Sequence, residues 1–462
     1  MNGDHLLVDG CYLPVTLTTA RRDPIPDKAQ LGDQWAHDCQ QQAAPLWNLI
    51  TPSGINFSVA SSAFQGAVRQ GKVVEACQWA LEMHRTDSSL GNSGNRIGKG
   101  ASNLWTRMIV IGAEDIALAN PFMIIYFDNI IRHKWQAATA AESESTVLKI
   151  TIALCHSLKS RAADWACICR IHVPEPFDDV VYFNRLVECL VQGNHAHALG
   201  YAEAYTIQTL ANKSIKLDKG LFDRLAVGIT VRGKPIKHYV NKRQLIWVAL
   251  LKALADNRHP NVREITESCY GVAHKDGFRW EKSARLFERM AILAVSMRDA
   301  VEPRGIAFKA HANLEAEYPG GVIWTDVEIE AFRVQQIKGN LIYGVSDVAK
   351  DKHNREGKQL NRGIKHFIEI KAFLKHEDEG LVSLSDWYLE LCCSTRKEWR
   401  DELGADYGKT IPALRARAQA LNLIENAIGK DAKEAQLTTI INLRPADLAA
   451  IKQFYGAAIT IL

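Results

Sequence analysis

From residue 60 onward, apolar residues recur at helical spacing along most of the chain. Ala63, Phe64, Ala67 and Val68 share one face. Val74, Cys77 and Leu81 carry the next, and Leu104, Trp105, Met108, Ile109 and Ile111 a third. Gly71, between the first two, is the expected helix stop, because glycine takes left-handed dihedrals at little cost. The same periodicity predicts helices over 121–135, 146–158, 161–171, 180–191, 196–210, 242–255 and 281–297. Asn120 and Pro121 predict a capped start, with the Asn side chain at the N-cap and proline where its missing N–H costs nothing. The stretch 318–329, YPGGVIWTDVEI, reads as a loop with local extended structure. Alternating strands and internal repeats are not evident, so the fold class expected is all-α.

Punctuation suggests how the chain divides. Prolines at 14, 24, 26, 45 and 52 and weak periodicity mark residues 1–54 as an irregular arm. The VPEP run at 173–176 is the expected first boundary. It separates a helical domain over 55–175 from a second helical domain over 176–380, followed by a C-terminal helical region over 381–462.

Composition narrows the class without choosing a function. The 462 residues are 47% hydrophobic and 23% charged, an ordinary globular balance. Lys plus Arg number 56 against 52 Asp plus Glu, a net of +4, so any contact with nucleic acid must rest on local patches. The ten cysteines lack the spacing of a disulfide framework; Cys167 with Cys169 and Cys392 with Cys393 read as reduced core residues. The N-terminus has no secretory pattern, and Glu114, Asp115 and Pro121 interrupt the greasiest window, so a cytoplasmic protein without a membrane span is expected.

Catalytic chemistry is not written in the motifs. The glycine-rich runs at 94–100 and 404–410 each miss the phosphate-loop spacing by one residue. The apolar run 123–128 resembles a strand bearing a metal-binding Asp, but the proline before it makes a core helix the better reading. Cys189, His195 and His197 lack the paired spacing of a zinc site, and Asp351 with His353 has no nucleophile beside it. No catalytic residue, metal or cofactor is therefore expected.

The string LWTRMIVIGAEDIALANP at 104–121 carries a more specific signal. It resembles the helical C-terminal region of replication-associated recombination ATPases of the RarA/MgsA type, relatives of clamp-loader subunits. Arg107, Glu114, Asp115, Leu118 and Pro121 match that pattern, while Asn120 stands where the family usually has Asp and Ala117 where it prefers Gly. The hairpin before it and the turn Leu158, Lys159, Ser160, Arg161 are similar to neighbouring family segments, and DKHNREGKQLNRG at 351–363 resembles a basic segment of related phage and viral proteins. The resemblance implies a collar-like oligomerisation domain without its ATPase module, engaging a second copy or a partner ATPase. Glu114 and Asp115 are expected to cap N–H groups or to pair with Arg107.

Charge is uneven. Residues 348–375 carry eight Lys or Arg against three acids, a local +5. From this segment Lys350, Lys352, His353, Arg355, Lys358, Arg362 and Lys365 are candidate DNA contacts, with Gly357 and Gly363 as turns admitting phosphates. A second cluster, Arg232, Lys234, Lys237, Lys242 and Arg243, has no acid among it. Tyr239, Trp247 and Phe367 are the aromatics available for stacking on bases, and core packing explains them equally well. The expected function is a non-enzymatic DNA-associated accessory protein of replication or recombination. The alternatives are an assembly protein that uses the helices only for protein contacts, and an enzyme with an unrecognised site.

Overall fold

Helices form where the 3.6-residue apolar period runs, in a computed structural model that describes residues 5–8, 11–14, 49–86, 99–132, 139–169, 171, 173, 176–211, 217–239, 241–256, 258–274, 281–309, 324–336, 341–346, 349–352, 354–368 and 374–403. A hairpin of α1 (Phe57–Arg69) and α2 (Val73–Arg85) turns at Gly71, whose φ of 62° is the left-handed conformation expected there. After α3 (Lys99–Ile111) the chain makes a π-helical turn, Gly112–Ile116, and a 3-10 turn, Ala117–Ala119. Then come α4 (Phe122–Arg132), α5 (Ala140–His156) and the short α6 (Ala162–Ile168). Residues 123–128 are thus helical.

Beyond the VPEP run lie α7 (Asp179–Gln192), α8 (His195–Ala211), α9 (Lys219–Leu225), α10 (Gln244–Ala253), α11 (Pro260–Ala273), α12 (Glu281–Ser296) and α13 (Arg298–Lys309). The rest comprises α14 (Asp326–Gln336), the short α15 (Arg355–Gln359), α16 (Ile364–His366), α17 (Glu379–Thr395) and α18 (Lys397–Leu403). The fold is all-α, with two small hairpins among the described residues. One pairs Thr230–Val231 with Lys234–Pro235 around Arg232 and Gly233, both at positive φ, as a two-residue hairpin turn requires.

Three local expectations change. The arm contains a hairpin, His5–Val8 against Cys11–Pro14, with an Asp-Gly dipeptide in the sequence between the strands. That dipeptide is a strong hairpin signal, which the sequence reading passed over. The stretch expected to be extended becomes helical from Asp326, because Thr325 and Glu328 close a capping box: the Glu328 carboxylate accepts from Thr325 N at 2.6 Å and Thr325 Oγ1 from Glu328 N at 3.3 Å. Asn120 does not cap α4 with its side chain. Its Nδ2 donates to Ser157 Oγ at 2.9 Å, and its buried Oδ1 has no partner.

The core is continuous from Phe57 to Leu403 and crosses the expected boundaries after 175 and 380. Trp165 of α6 packs edge-on against Phe367 and Trp399, at 6.2 and 5.9 Å. A smaller cluster seats Ile329 and Phe332 of α14 on Cys77, Leu81, Leu148 and Ile152. Gln78 fixes an irregular segment beside it, accepting from the backbone N–H groups of Ile342 and Tyr343 and donating to Tyr343 O at 2.8 Å. Cys77, Cys155, Cys167, Cys169, Cys189, Cys269, Cys392 and Cys393 are buried and unbridged. No helix among the described residues is long and apolar enough to cross a membrane.

Ala117 has φ 46° and ψ −125°, a conformation a β-carbon resists. Such strain costs roughly 1–3 kcal/mol. Ala117→Gly relieves it, offset by about 1 kcal/mol for a lost buried methyl and a freer unfolded chain. Chemical denaturation should find Ala117→Gly neutral or stabilising by about 1 kcal/mol, whereas Ala119→Gly, equally buried but without the strain, should destabilise by about 1–2 kcal/mol. Equal losses in both variants would refute the strain at Ala117.

Candidate nucleic-acid interface

The family-like residues surround one buried carboxylate. Asp115, fully buried in the π-helical turn, accepts from Arg69 Nε of α1 at 2.8 Å and from Arg161 Nη1, both at Oδ1. Its Oδ2 accepts from Gln65 Nε2 at 2.9 Å, and its main-chain oxygen accepts from Ser160 N at 3.0 Å. Arg161 also pairs with Asp164. Glu114 accepts from Gln65 Nε2 at 2.8 Å, and Arg69 Nη2 lies 4.0 Å from it. Arg107 is not the partner of Asp115; its Nη1 meets Gln65 Oε1 at 3.5 Å. The carboxylate pair therefore joins α1 to the start of α6 rather than capping within its own turn. Leu118 and Pro121 are buried behind it.

The basic segment packs on this centre. The ring of Phe367 receives the guanidinium groups of Arg69 and Arg161, at 5.5 and 5.3 Å, and Lys352 Nζ at 5.1 Å. Lys352 also lies over Trp399, at 5.6 Å. Asp351 is buried against Ser62 Oγ at 3.5 Å, and Asn354 caps α15 through Gly357 N at 2.9 Å. Arg362 donates to Lys350 O at 2.7 Å. Arg355, Lys358 and Lys365 point to solvent, Lys350 is half-buried, and His353 lies outside the described residues. The glycines serve the chain itself. A β-carbon on Gly357 would sit 1.9 Å from Asp351 O, and one on Gly363 would sit 2.3 Å from a Glu402 carboxylate oxygen. That carboxylate accepts from Ile364 N and Lys365 N at 2.9 and 2.8 Å, filling the place proposed for a phosphate.

The second cluster is mostly neutralised from within. Arg232 pairs with buried Asp128, Lys242 with Asp179 at 3.0 Å and Arg243 with Glu288 at 2.9 Å. Only Lys234 and Lys237 of that group are exposed. Trp247 and Phe367 are core residues, and Tyr239 stacks on His274 at 4.9 Å. These rings pack on protein, the core reading that the sequence left open beside stacking on bases.

His195, His197 and Cys189 do not gather. His195 Nδ1 bonds Tyr388 Oη at 2.6 Å and His197 Nδ1 meets Asn194 Oδ1 at 3.0 Å. No metal-binding group of His, Cys, Asp or Glu forms among the described residues. Of the glycine-rich runs, only Lys99 and Gly100 are described, as the start of α3; 404–410 lies outside the described residues. The sequence reading missed Gln65 and Arg69, and it singled out Phe367 without its place over the two arginines. Arg69 carried a signal, a charge on an otherwise apolar helix adjoining the Gly71 stop.

Removing one side of a buried ion pair strands the other, at roughly 3–5 kcal/mol. Asp115→Asn should destabilise by about that much in equilibrium unfolding, and Glu114→Gln, at the edge of the network, by about 1 kcal/mol or less. Indistinguishable losses would show that Asp115 is not the centre. His195 supplies a pH dependence: burial pushes its pKa down to about 4 from 6.5. Between those values only the unfolded chain takes up the proton, so stability is lost as pH falls through 6.5 toward 4. His195→Gln should remove up to roughly 3 kcal/mol of that loss, read as a shallower slope of unfolding free energy against pH.

No protein-family model, curated protein or solved structure matches this chain, so its site is read from its own geometry.

Proposed function

We propose that this protein is a DNA-associated accessory factor of replication or recombination, built on a helical unit that resembles the collar of RarA/MgsA-type ATPases without the motor. In this reading the helical unit docks a second copy or an ATPase, and the protein's own part is binding rather than catalysis. One observation carries the reading: the stretch that resembles that family, 104–121, and the basic stretch 351–363, which resembles a segment of related phage and viral proteins, pack together. Arg69 and Arg161 bind Asp115 on one side and face Phe367, just beyond the second stretch, on the other. Further support comes from Ala117, which holds a glycine-favouring backbone where the resembled family prefers Gly.

The exposed cations of that unit, Arg355, Lys358 and Lys365, are the DNA contacts in this proposal. Phosphate contacts release counterions, each contributing roughly −0.9 to the slope of log affinity against log salt on duplex DNA. Binding of a duplex should weaken steeply with salt, and replacing the three with Ala should flatten the slope by about 2–3. The loss should be similar for unrelated sequences, since phosphate contacts do not read bases. An unchanged slope in a folded triple variant would remove this surface from the interface. The internal neutralisation of Arg232, Lys242 and Arg243 favours the assembly reading instead, and absence of wild-type binding at low salt would decide for it.

A further inference from the structure

Residues 375–378 form a strap across the end of the α1–α2 hairpin. Lys375 N donates to Arg69 O, Lys159 N to His376 O and Asp378 N to Lys159 O, each at 2.9 Å. The strap brings two cationic side chains over Gly71. A β-carbon placed on Gly71 would lie 3.3 Å from Lys375 Cδ, 3.6 Å from His376 Cδ2 and 3.6 Å from Cys155 O. From the interior, buried Lys159 sends its Nζ to that same Cys155 oxygen at 2.7 Å and to Ser157 O at 2.9 Å. His156, the last residue of α5, lies between those two carbonyls in sequence.

Four basic groups, two lysines and two histidines, therefore lie close together, and none has a carboxylate within ion-pair distance among the described residues. That is unlike the buried cations elsewhere: Arg69 and Arg161 hold Asp115, Lys242 holds Asp179 and Arg243 holds Glu288. Burial and then repulsion by Lys159, His376 and Lys375 push His156 down to about 4. His376 is lowered by burial, then by Lys159 and Lys375. Lys159 falls to about 8 through burial, with Lys375 adding to it and Cys155 and Asp115 opposing. The other charged groups around the site are Lys72 and Glu75 at the start of α2 and Glu377 in the strap. His376 also sits at φ 61°, a strained conformation for a residue with a β-carbon, of the kind that ligand clamps retain.

We propose that His156, Lys375 and His376, with Lys159 behind them, form an anion site that takes a phosphate group. Lys375 is exposed and both histidines are partly open, so an anion can reach them from solvent. An ammonium and two imidazoles present several N–H donors over a small area, which suits a group with several charged acceptor oxygens better than a single carboxylate. Bound phosphate converts mutual repulsion into attraction and favours the protonated imidazoles. The site stands independently of the basic segment at 350–365. Its phosphate is either a free anion or a phosphodiester of a nucleic-acid backbone.

Histidine proton resonances of the full-length protein test this, assigned through His156→Gln and His376→Asn (Asn tolerates the left-handed backbone). Inorganic phosphate, against chloride at equal ionic strength, should raise the proton affinity of both histidines about tenfold. Lys375→Ala, with its helical circular dichroism unchanged, should weaken that response. A short duplex giving the same response, reversed by phosphate, assigns the site to nucleic acid. A response to phosphate alone assigns it to a small anion, whatever the fate of the DNA reading. Histidines that titrate identically in chloride, phosphate and duplex would overturn the site.

Discussion

The buried carboxylate of Asp115 has to be matched, and the packing of distant chain segments follows from how it is matched. An ionised carboxylate in an apolar interior is costly unless it is paired and hydrogen-bonded on its available lone pairs. Arg69, Arg161 and Gln65 meet that demand together. Because the two guanidinium groups are planar, each can bind the carboxylate along its edge and offer its face to an aromatic ring. Phe367 takes both faces, and Trp165 takes that of Arg161 at 4.5 Å. The π-helical turn at Gly112–Ile116 is the local distortion that carries Asp115 to this position, and π turns often occur where a helix must present a particular side chain.

This arrangement changes what the basic residues mean. A lysine or arginine counted in the sequence contributes to a phosphate interface only if its charge is not already used inside the protein. Arg232, Lys242 and Arg243 are used, and Lys352 lies between two rings. Arg355, Lys358 and Lys365 are exposed, on short turns anchored by the Asn354 cap and the Glu402 carboxylate. Anchored turns hold these side chains at defined roots. That lowers the ordering cost of contacting a phosphate backbone.

Four described residues other than glycine hold a positive φ, namely Ala117, Arg232, Asn361 and His376; Arg232 lies in a hairpin turn that requires it and asparagine tolerates it, which leaves strain at Ala117 and His376. At Ala117 it follows the distorted turn that positions Asp115, and at His376 it accompanies the strap over Gly71. The energetic reasons differ. The first is offset by the ion-pair network the turn makes possible. The second is offset by the backbone hydrogen bonds that hold the strap, from Lys375 N to Arg69 O and from Lys159 N to His376 O.

Much of the fold was legible because helix periodicity is local. The helices expected over 180–191, 196–210 and 281–297 appear as Asp179–Gln192, His195–Ala211 and Glu281–Ser296, and the glycine stop at 71 is where it was expected. The likeness of 104–121 to a collar motif rested on residue identities, and those could be read one by one. Long-range pairing could not. Arg107 lies closer to Asp115 in sequence than Arg69 or Arg161 does, so the local reading chose it; only the tertiary path of α1 and α6 decided otherwise. The glycines at 357 and 363 are ambiguous for the same reason, since room for a phosphate and room for Asp351 or Glu402 leave the same mark in a sequence. Sequence by itself determined that the chain is helical and where many of its helices lie, because dihedral preference and amphipathic spacing act within a few residues. Tertiary structure decided which charges face each other and which face water, because burial and pairing depend on neighbours far away along the chain.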